Sequence, residues 1–261
     1  MPPIQSKVKQ KDALAKVHLK NISAFFRTQK AMVMQALTRR TLSAPARALE
    51  SPPVGISTEE WDKLWKNIVT RTTPELTKII ASAEADALHA GAIFGEKSIG
   101  SFTKGNGQTF NLANPRAVAW FQQNGGSVDY IKGIQQTTSN QIKGIITNAL
   151  DKGQAYTITA REIQDSFDGM SRERATNIAV FETGNAYEQG NMLFAQSLKD
   201  DGVEMEKSWQ TSDDGDQCDI CQGNQDEGWI PIDQAHQSGH QQPEAHLRCR
   251  CYEIYQQAQG E

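Results

Sequence analysis

The chain has 261 residues, 38% of them hydrophobic, and carries 27 Lys and Arg against 31 Asp and Glu for a net charge of −4. That length can bury a real core and suits one or two domains, and the apolar fraction excludes a wholly disordered chain. No apolar run approaches the roughly 18 residues of a membrane helix, and the start, MPPIQSKVKQKD, lacks the apolar stretch of a signal peptide.

A soluble protein kept in a reducing cytosol is therefore expected. Its charge is uneven. Residues 1–50 hold ten Lys and Arg against Asp12 and Glu50, a net of +8, which leaves −12 for residues 51–261 out of the overall −4. A basic arm on an acidic body points to an anionic partner, nucleic acid or an acidic protein surface, or else to a solvated helix face.

Residues 12–40 read as a helix with Leu14, Val17, Ile22, Phe25, Val33 and Leu37 as its apolar stripe. TLSAPARALESPPVGIS follows as a Pro, Ser and Ala-rich linker. Ser57-Thr58-Glu59-Glu60 is a capping box that opens the body. Thr73-Pro74 predicts the start of the next helix, because proline at the first helical position loses no needed hydrogen bond. On that helix Leu76, Ile79, Ile80, Ala83, Ala87, Ala90 and Phe94 share a face, with His89 pointing away from it. SFTKGNGQTFNLAN reads as a loop, and Asn114-Pro115 as the cap of a short helix. Thr138-Ser139-Asn140-Gln141 and Thr159-Ala160-Arg161-Glu162 are two more capping boxes, with Gly153 placed to stop the helix between them. Ser171 opens the longest helix, running to about Lys199, with Gly202 closing the turn.

The period then changes to two. VEMEKSWQT, GWIPI (228–232) and CRCYEIY (249–255) read as strands. The expected class is α+β: a mostly helical N-terminal body followed by a small β-rich, zinc-stapled C-terminal module. The expected organisation is a basic arm and linker over 1–52, a helical domain over 53–170, and a domain of long helix plus β module over 171–261.

All four cysteines lie in that module. Cys218 and Cys221 have the C-x-x-C spacing of a tetrahedral metal site, and His246-x-x-Cys249-x-Cys251 adds three donors. Along a strand, residues two apart point to one side, so Cys249 and Cys251 are both within reach of the ion on this reading. Five candidates compete for four places. The preferred set is Cys218, Cys221, His246 and Cys249, with Cys251 as a buried spare or as the replacement for His246. Four protein ligands leave no open position, which makes the site structural rather than catalytic. Fewer than fifty residues of β structure bury little apolar surface, so zinc would stabilise what a core cannot.

Other chemistries fit less well. His236 and His240 have the spacing of a helical zinc pair without the intervening glutamate, and their Ser and Gly suit a loop. Asp213, Asp214, Asp216 and Asp219 read as a solvated acidic turn. Glu182 falls on the apolar face of the long helix with Ala175, Ile178, Ala179 and Ala186, so its carboxylate needs a partner. A hydrolase or nuclease built on Glu182 and Asp214 is the catalytic alternative.

Three segments carry a resemblance: RATNIAVFETGNAYEQG, KSWQTSDDGDQCDIC and P-x-x-H-x-x-C-R-C. They resemble the C-terminal domain of the phage Mu F-like minor head proteins, the head morphogenesis proteins of tailed bacteriophages. NPRAVAWFQQNGG resembles the helical segment that precedes that domain. The resemblance covers about residues 58–256 and leaves the arm outside. It carries over to Glu182, Thr183, Gly190, Trp209, Thr211, Asp214, Cys218, Cys221, Pro243, His246, Cys249, Arg250 and Cys251. This chain departs from the family at Val180-Phe181, where members have Arg-Thr, and at Asp216, Glu244 and Leu247. The resemblance implies a virion or prohead component without enzymatic activity. It would be associated with portal, scaffold or major capsid protein, located in the head interior or portal vicinity, and in the host cytoplasm during assembly. A role in DNA packaging or ejection, with the arm on DNA, is part of the same implication; no membrane and no small-molecule substrate are expected. Some members carry a toxin domain beyond C-R-C; with about ten residues past Cys251, none is expected here. The alternative is a zinc-dependent nucleic-acid-binding module.

Overall fold

The computed structural model describes residues 4–43, 56–99, 114–124, 128–154, 156–212 and 217–258. The expected linker and the loop before Asn114 lie largely outside these residues, as do Asp213, Asp214 and Asp216. Five long helices precede a small sheet: α1 (Ile4–Ser43), α2 (Thr58–Ile99), α3 (Pro115–Asn124), α4 (Val128–Asp151) and α5 (Tyr156–Asp200). Then come β1 (Met205–Gln210), a short α6 (Asp219–Asp226), β2 (Ile230–Pro231) and β3 (Tyr252–Gln257). The architecture is α+β, mostly helical, with one three-stranded antiparallel sheet in the order β2-β1-β3.

Several expected helix starts prove to be interior. Ser57 does cap α2: its hydroxyl accepts from the Glu60 amide at 3.2 Å, and Glu60 accepts from the Ser57 amide at 2.9 Å. Pro74, however, lies inside α2 rather than at a new start. Proline removes one helical donor, and the threonines around it bond back along the helix. The hydroxyls of Thr70, Thr72, Thr73 and Thr77 donate to the carbonyls of Lys66, Ile68, Val69 and Thr73.

The Thr138 box is likewise mid-helix in α4, where Thr138 donates to the Ile134 carbonyl at 2.9 Å. Thr159 and Ser171 open nothing, because α5 is continuous over 45 residues. A serine or threonine followed by Glu or Gln marks a start only when the stripe of buried residues also begins there. In α4 that stripe runs unbroken through Ile131, Gln135, Thr138, Ile142, Ile146 and Ala149. The glycine stops hold: Gly153 and Gly202 take φ of 59° and 88°, and each follows the last turn of its helix.

The chain divides into two compact units, Lys20–Ile79 with Gly126–Thr176, and Met1–Leu19 with Ile80–Gly125 and Asn177–Glu261. The first has an aromatic and aliphatic core of Val33, Leu37, Trp61, Trp65, Ile142, Ile146 and Phe167. Trp61 and Trp65 stack at 5.4 Å, and the Trp61 indole N–H donates to Ser139 at 3.2 Å. Its buried polar groups pair internally, Gln135 with Thr73 at 2.9 Å and Gln29 with Thr72 at 3.4 Å.

In the second unit, α2 and α5 meet backbone to backbone. A Cβ at Gly91 would lie 1.9 Å from the Tyr187 carbonyl oxygen, and one at Gly190 would lie 1.9 Å from that of Leu88. Only glycine permits this approach. β1 is the central strand, pairing Ser208 with Ile254 and Trp209 with Glu253 on one side and Lys207 with Ile230 on the other. Its inward positions are Met205, Lys207 and Trp209, so a lysine occupies a slot the alternation assigns to an apolar residue. The Lys207 ammonium donates to the Gln241 carbonyl at 2.6 Å.

Candidate metal centre

The end of β1 and α6 are tied together by Gln225, whose side-chain oxygen accepts from the amide and hydroxyl of Thr211 at 2.7 and 2.6 Å. This holds the last turn of α6 against the end of β1. Cys218 is the residue before the helix, in extended backbone, and Cys221 follows in its first turn. Opposite them, His246 opens a tight turn closed by the Cys249 amide donating to the His246 carbonyl at 3.0 Å. Arg248 sits in that turn at φ 65°. Cys249 and Cys251 lie before β3, not on it as expected, so the turn rather than strand alternation delivers Cys249.

The five expected donors converge. Cys218, Cys221 and His246 bring one ligand atom each to within 4.8 Å of one another, and so do Cys221, Cys249 and Cys251. The His246 Nε2 is 3.2 Å from the Cys218 sulfur and 3.3 Å from that of Cys221, and the Cys221 and Cys249 sulfurs are 3.8 Å apart. Zinc bonds of about 2.3 Å to sulfur and about 2.0–2.1 Å to nitrogen put neighbouring ligands of a tetrahedron about 3.5–3.8 Å apart. The donor set fits that ion with small adjustments.

The His246 Nδ1 faces the Leu247 carbonyl at 3.0 Å. A carbonyl only accepts, so the proton sits on Nδ1 and Nε2 keeps its lone pair toward the sulfurs. The donors line a cavity of about 50 Å³ together with Ser212, Gln217, Arg248 and Arg250. Cys221, Cys249 and Cys251 are buried, and Cys218 and His246 are half-buried.

None of the four cysteines forms a disulfide. Burial, then the neighbouring Cys249, pushes the Cys221 thiol up to about 12. A hydrogen bond with Cys251, then burial, raises Cys249 further. Thiols held protonated at neutral pH are poor nucleophiles. Trp209, fully buried, packs under Cys221, Cys249 and Cys251.

Glu182 has the partner its position demands. Its carboxyl shares a hydrogen bond with Glu84, and burial holds its pKa above the ordinary value. Thr183 beside it is buried and bonded to the His18 Nδ1 at 2.7 Å. His236 and His240 lie in a loop as expected, but His236 is buried between two carboxylates, Glu227 at 3.0 Å and Glu253 at 3.1 Å.

Sequence reading missed the most heavily charged group in this unit. Lys7 and Lys11, counted as a free basic arm, are buried against Glu188 and Glu244. The missed signal was spacing. Positions 7, 11, 15, 18, 22, 25, 29, 33 and 37 form one buried helix stripe, and four of them are polar. Val17, expected in the stripe, is 60% exposed, and its neighbour His18 takes the inward place.

Residues 140–254 match a family described as Phage Mu protein F like protein. No curated protein and no solved structure matches the chain. The matched stretch runs from the second half of α4 to β3 and contains all five candidate ligands. Over residues 140–254 the chain is therefore similar to the phage Mu F-like family.

Proposed function

We propose that this chain is a structural minor head protein of a tailed bacteriophage, acting in head morphogenesis without catalysis. The family match over residues 140–254 is the observation that carries this reading. Its seat would be the virion, at the portal or inner capsid, reached from the host cytoplasm during assembly. Portal, scaffold or major capsid protein would be its partners.

In this reading zinc staples the C-terminal module, held by Cys218, Cys221, His246 and Cys249, with Cys251 as the fifth donor in reserve. Zinc would supply a rigid four-way crosslink; the chain's own residues supply the docking surface around it. Ile220 and Leu247, exposed at 49% and 55%, flank two of these ligands in sequence and give that surface apolar tips. The organisation into segments 1–52, 53–170 and 171–261 is part of the same proposal.

Mass spectrometry of purified proheads and virions tests the assignment; consistent absence from both overturns it. Metal analysis of the protein purified under reducing, chelator-free conditions tests the staple, with about one zinc per chain expected.

The second reading, a zinc-dependent module that grips DNA through the arm, has support in the exposed Lys9, Lys16 and Lys20. It loses Lys7 and Lys11, which are engaged inside the protein. Steeply salt-dependent DNA binding that disappears when Lys9, Lys16 and Lys20 are replaced by glutamine would favour it.

A further inference from the structure

The carboxylates of the Mu F-like stretch outnumber the cations it can set against them. Glu188 and Glu253 have no exposed surface, and Glu244 is 7% exposed. His236 serves Glu253. For Glu188 and Glu244 the ion-pair partners among the described residues are Lys7 and Lys11, which come from outside the matched stretch. Buried carboxylates left without a cation cost several kcal/mol each, by order of magnitude.

The seats of the two ammonium groups are complete. Lys7 donates to Glu188 at 2.7 Å and to the Glu253 carbonyl at 2.6 Å. The rings of Phe94, Tyr187 and Tyr252 stand 5.5, 6.0 and 5.8 Å from its nitrogen, which makes an aromatic cage for a cation. Lys11, one turn on, donates to Glu244 at 2.8 Å, to the Cys251 carbonyl at 2.9 Å and to Glu188 at 3.3 Å. One oxygen each of Glu244 and Glu253 and the Asn191 side-chain oxygen remain buried without a hydrogen bond. Acceptors therefore exceed the donors in place.

We propose that α5, β3 and the segment before β3 form a receptor site for a helix presenting two lysines four residues apart, with residues 4–19 as its tethered ligand. A stretch whose own cations suffice would not bring three buried carboxylates and two of the three rings, Tyr187 and Tyr252, to one place. The arm supplies what is missing in its first four turns. Lys11 also bonds the backbone of Cys251, so the site joins the arm to the end of the candidate metal turn. The inference does not depend on the viral assignment or on zinc.

The test uses the full chain carrying Lys7→Glu and Lys11→Glu, which expels its own segment by charge repulsion. A fluorescent peptide of residues 1–20 should bind this variant at least tenfold more tightly than it binds the wild-type chain, whose site is filled. An equal-charge peptide in which Lys7 exchanges places with Ser6, so that no lysine stands four residues before Lys11, should bind at least tenfold more weakly. Equal binding of both peptides, or no binding to the variant, overturns the proposal. An unfolded variant also overturns it, because residues 4–19 would then be core rather than ligand. In the wild-type chain, amide exchange over 4–19 should be faster than over the α5 residues around Glu188; identical, fully cooperative exchange would count against a separable ligand.

Discussion

The unit of residues 20–79 and 126–176 and the β module of the other unit solve the same problem with opposite materials. In the first, Trp61, Trp65 and Phe167 pack with aliphatic side chains, and the polar groups in its stripes pair with each other as neutral amides and hydroxyls. In the β module the interior holds three thiols, a lysine in the central strand and a histidine between two glutamates. Apolar burial is additive and tolerant, whereas buried charges and sulfurs are stable only when every partner is present. The module should therefore fail abruptly when one partner goes, and the helical unit gradually.

Removal of the proposed zinc is the sharpest way to expose that contrast. Structural zinc sites contribute on the order of 10 kcal/mol in small domains. A strong chelator, or Cys221→Ser, should abolish the cooperative unfolding of the module, reported by the environment of Trp209. Near-ultraviolet dichroism resolved by tryptophan replacement separates Trp209 from Trp61 and Trp65, which should keep their native signal. A module that melts unchanged after chelation would remove the staple.

Phe167→Ala should cost about 3–5 kcal/mol by cavity formation beside Trp65, and should leave zinc content unchanged. Urea denaturation with parallel metal analysis reads both. Gly190→Ala should cost about 1–3 kcal/mol or more, because its Cβ meets the Leu88 carbonyl backbone at 1.9 Å and no flexible side chain can yield. Ser57→Ala removes half of a reciprocal cap and should cost about 1 kcal/mol. A cost for Ser57→Ala as large as that for Phe167→Ala would mean the helical unit is less tolerant than its packing suggests.

What the sequence made legible follows the same divide. The Cys and His grouping was readable because ligand chemistry restricts residue type and spacing together, and the fold gathers the five side chains into two groups of three that share Cys221. The Ser57 cap, Gly153 and Gly202 were readable because each obeys a local rule. The Thr138 and Thr159 boxes misled because the same residues bond back within a helix when a buried stripe continues past them. The inward turn of Lys7, Lys11 and Lys207 was not legible from polarity, since their carboxylate and carbonyl partners lie 34 to 246 residues away.

The smallest expected effect concerns Glu182. Two carboxyls that share a hydrogen bond need one proton between them, and burial raises the pKa of Glu182 above its ordinary 4.5. The folded state then holds a proton that the unfolded chain has released. This contribution to stability is fully present below pH 4.5 and is lost as pH rises through the raised folded value. His18, pushed below 6.5 by burial, works with the opposite sign, since the unfolded chain takes up its proton first as pH falls. Glu182→Gln removes only the first component. Its hydrogen bond to Glu84 survives without a titrating proton on residue 182, so the variant should gain on wild type as pH rises from 5 to 8. Urea midpoints across that range check it. A difference between variant and wild type that stays constant with pH would show that both carboxyls ionise freely in the folded protein.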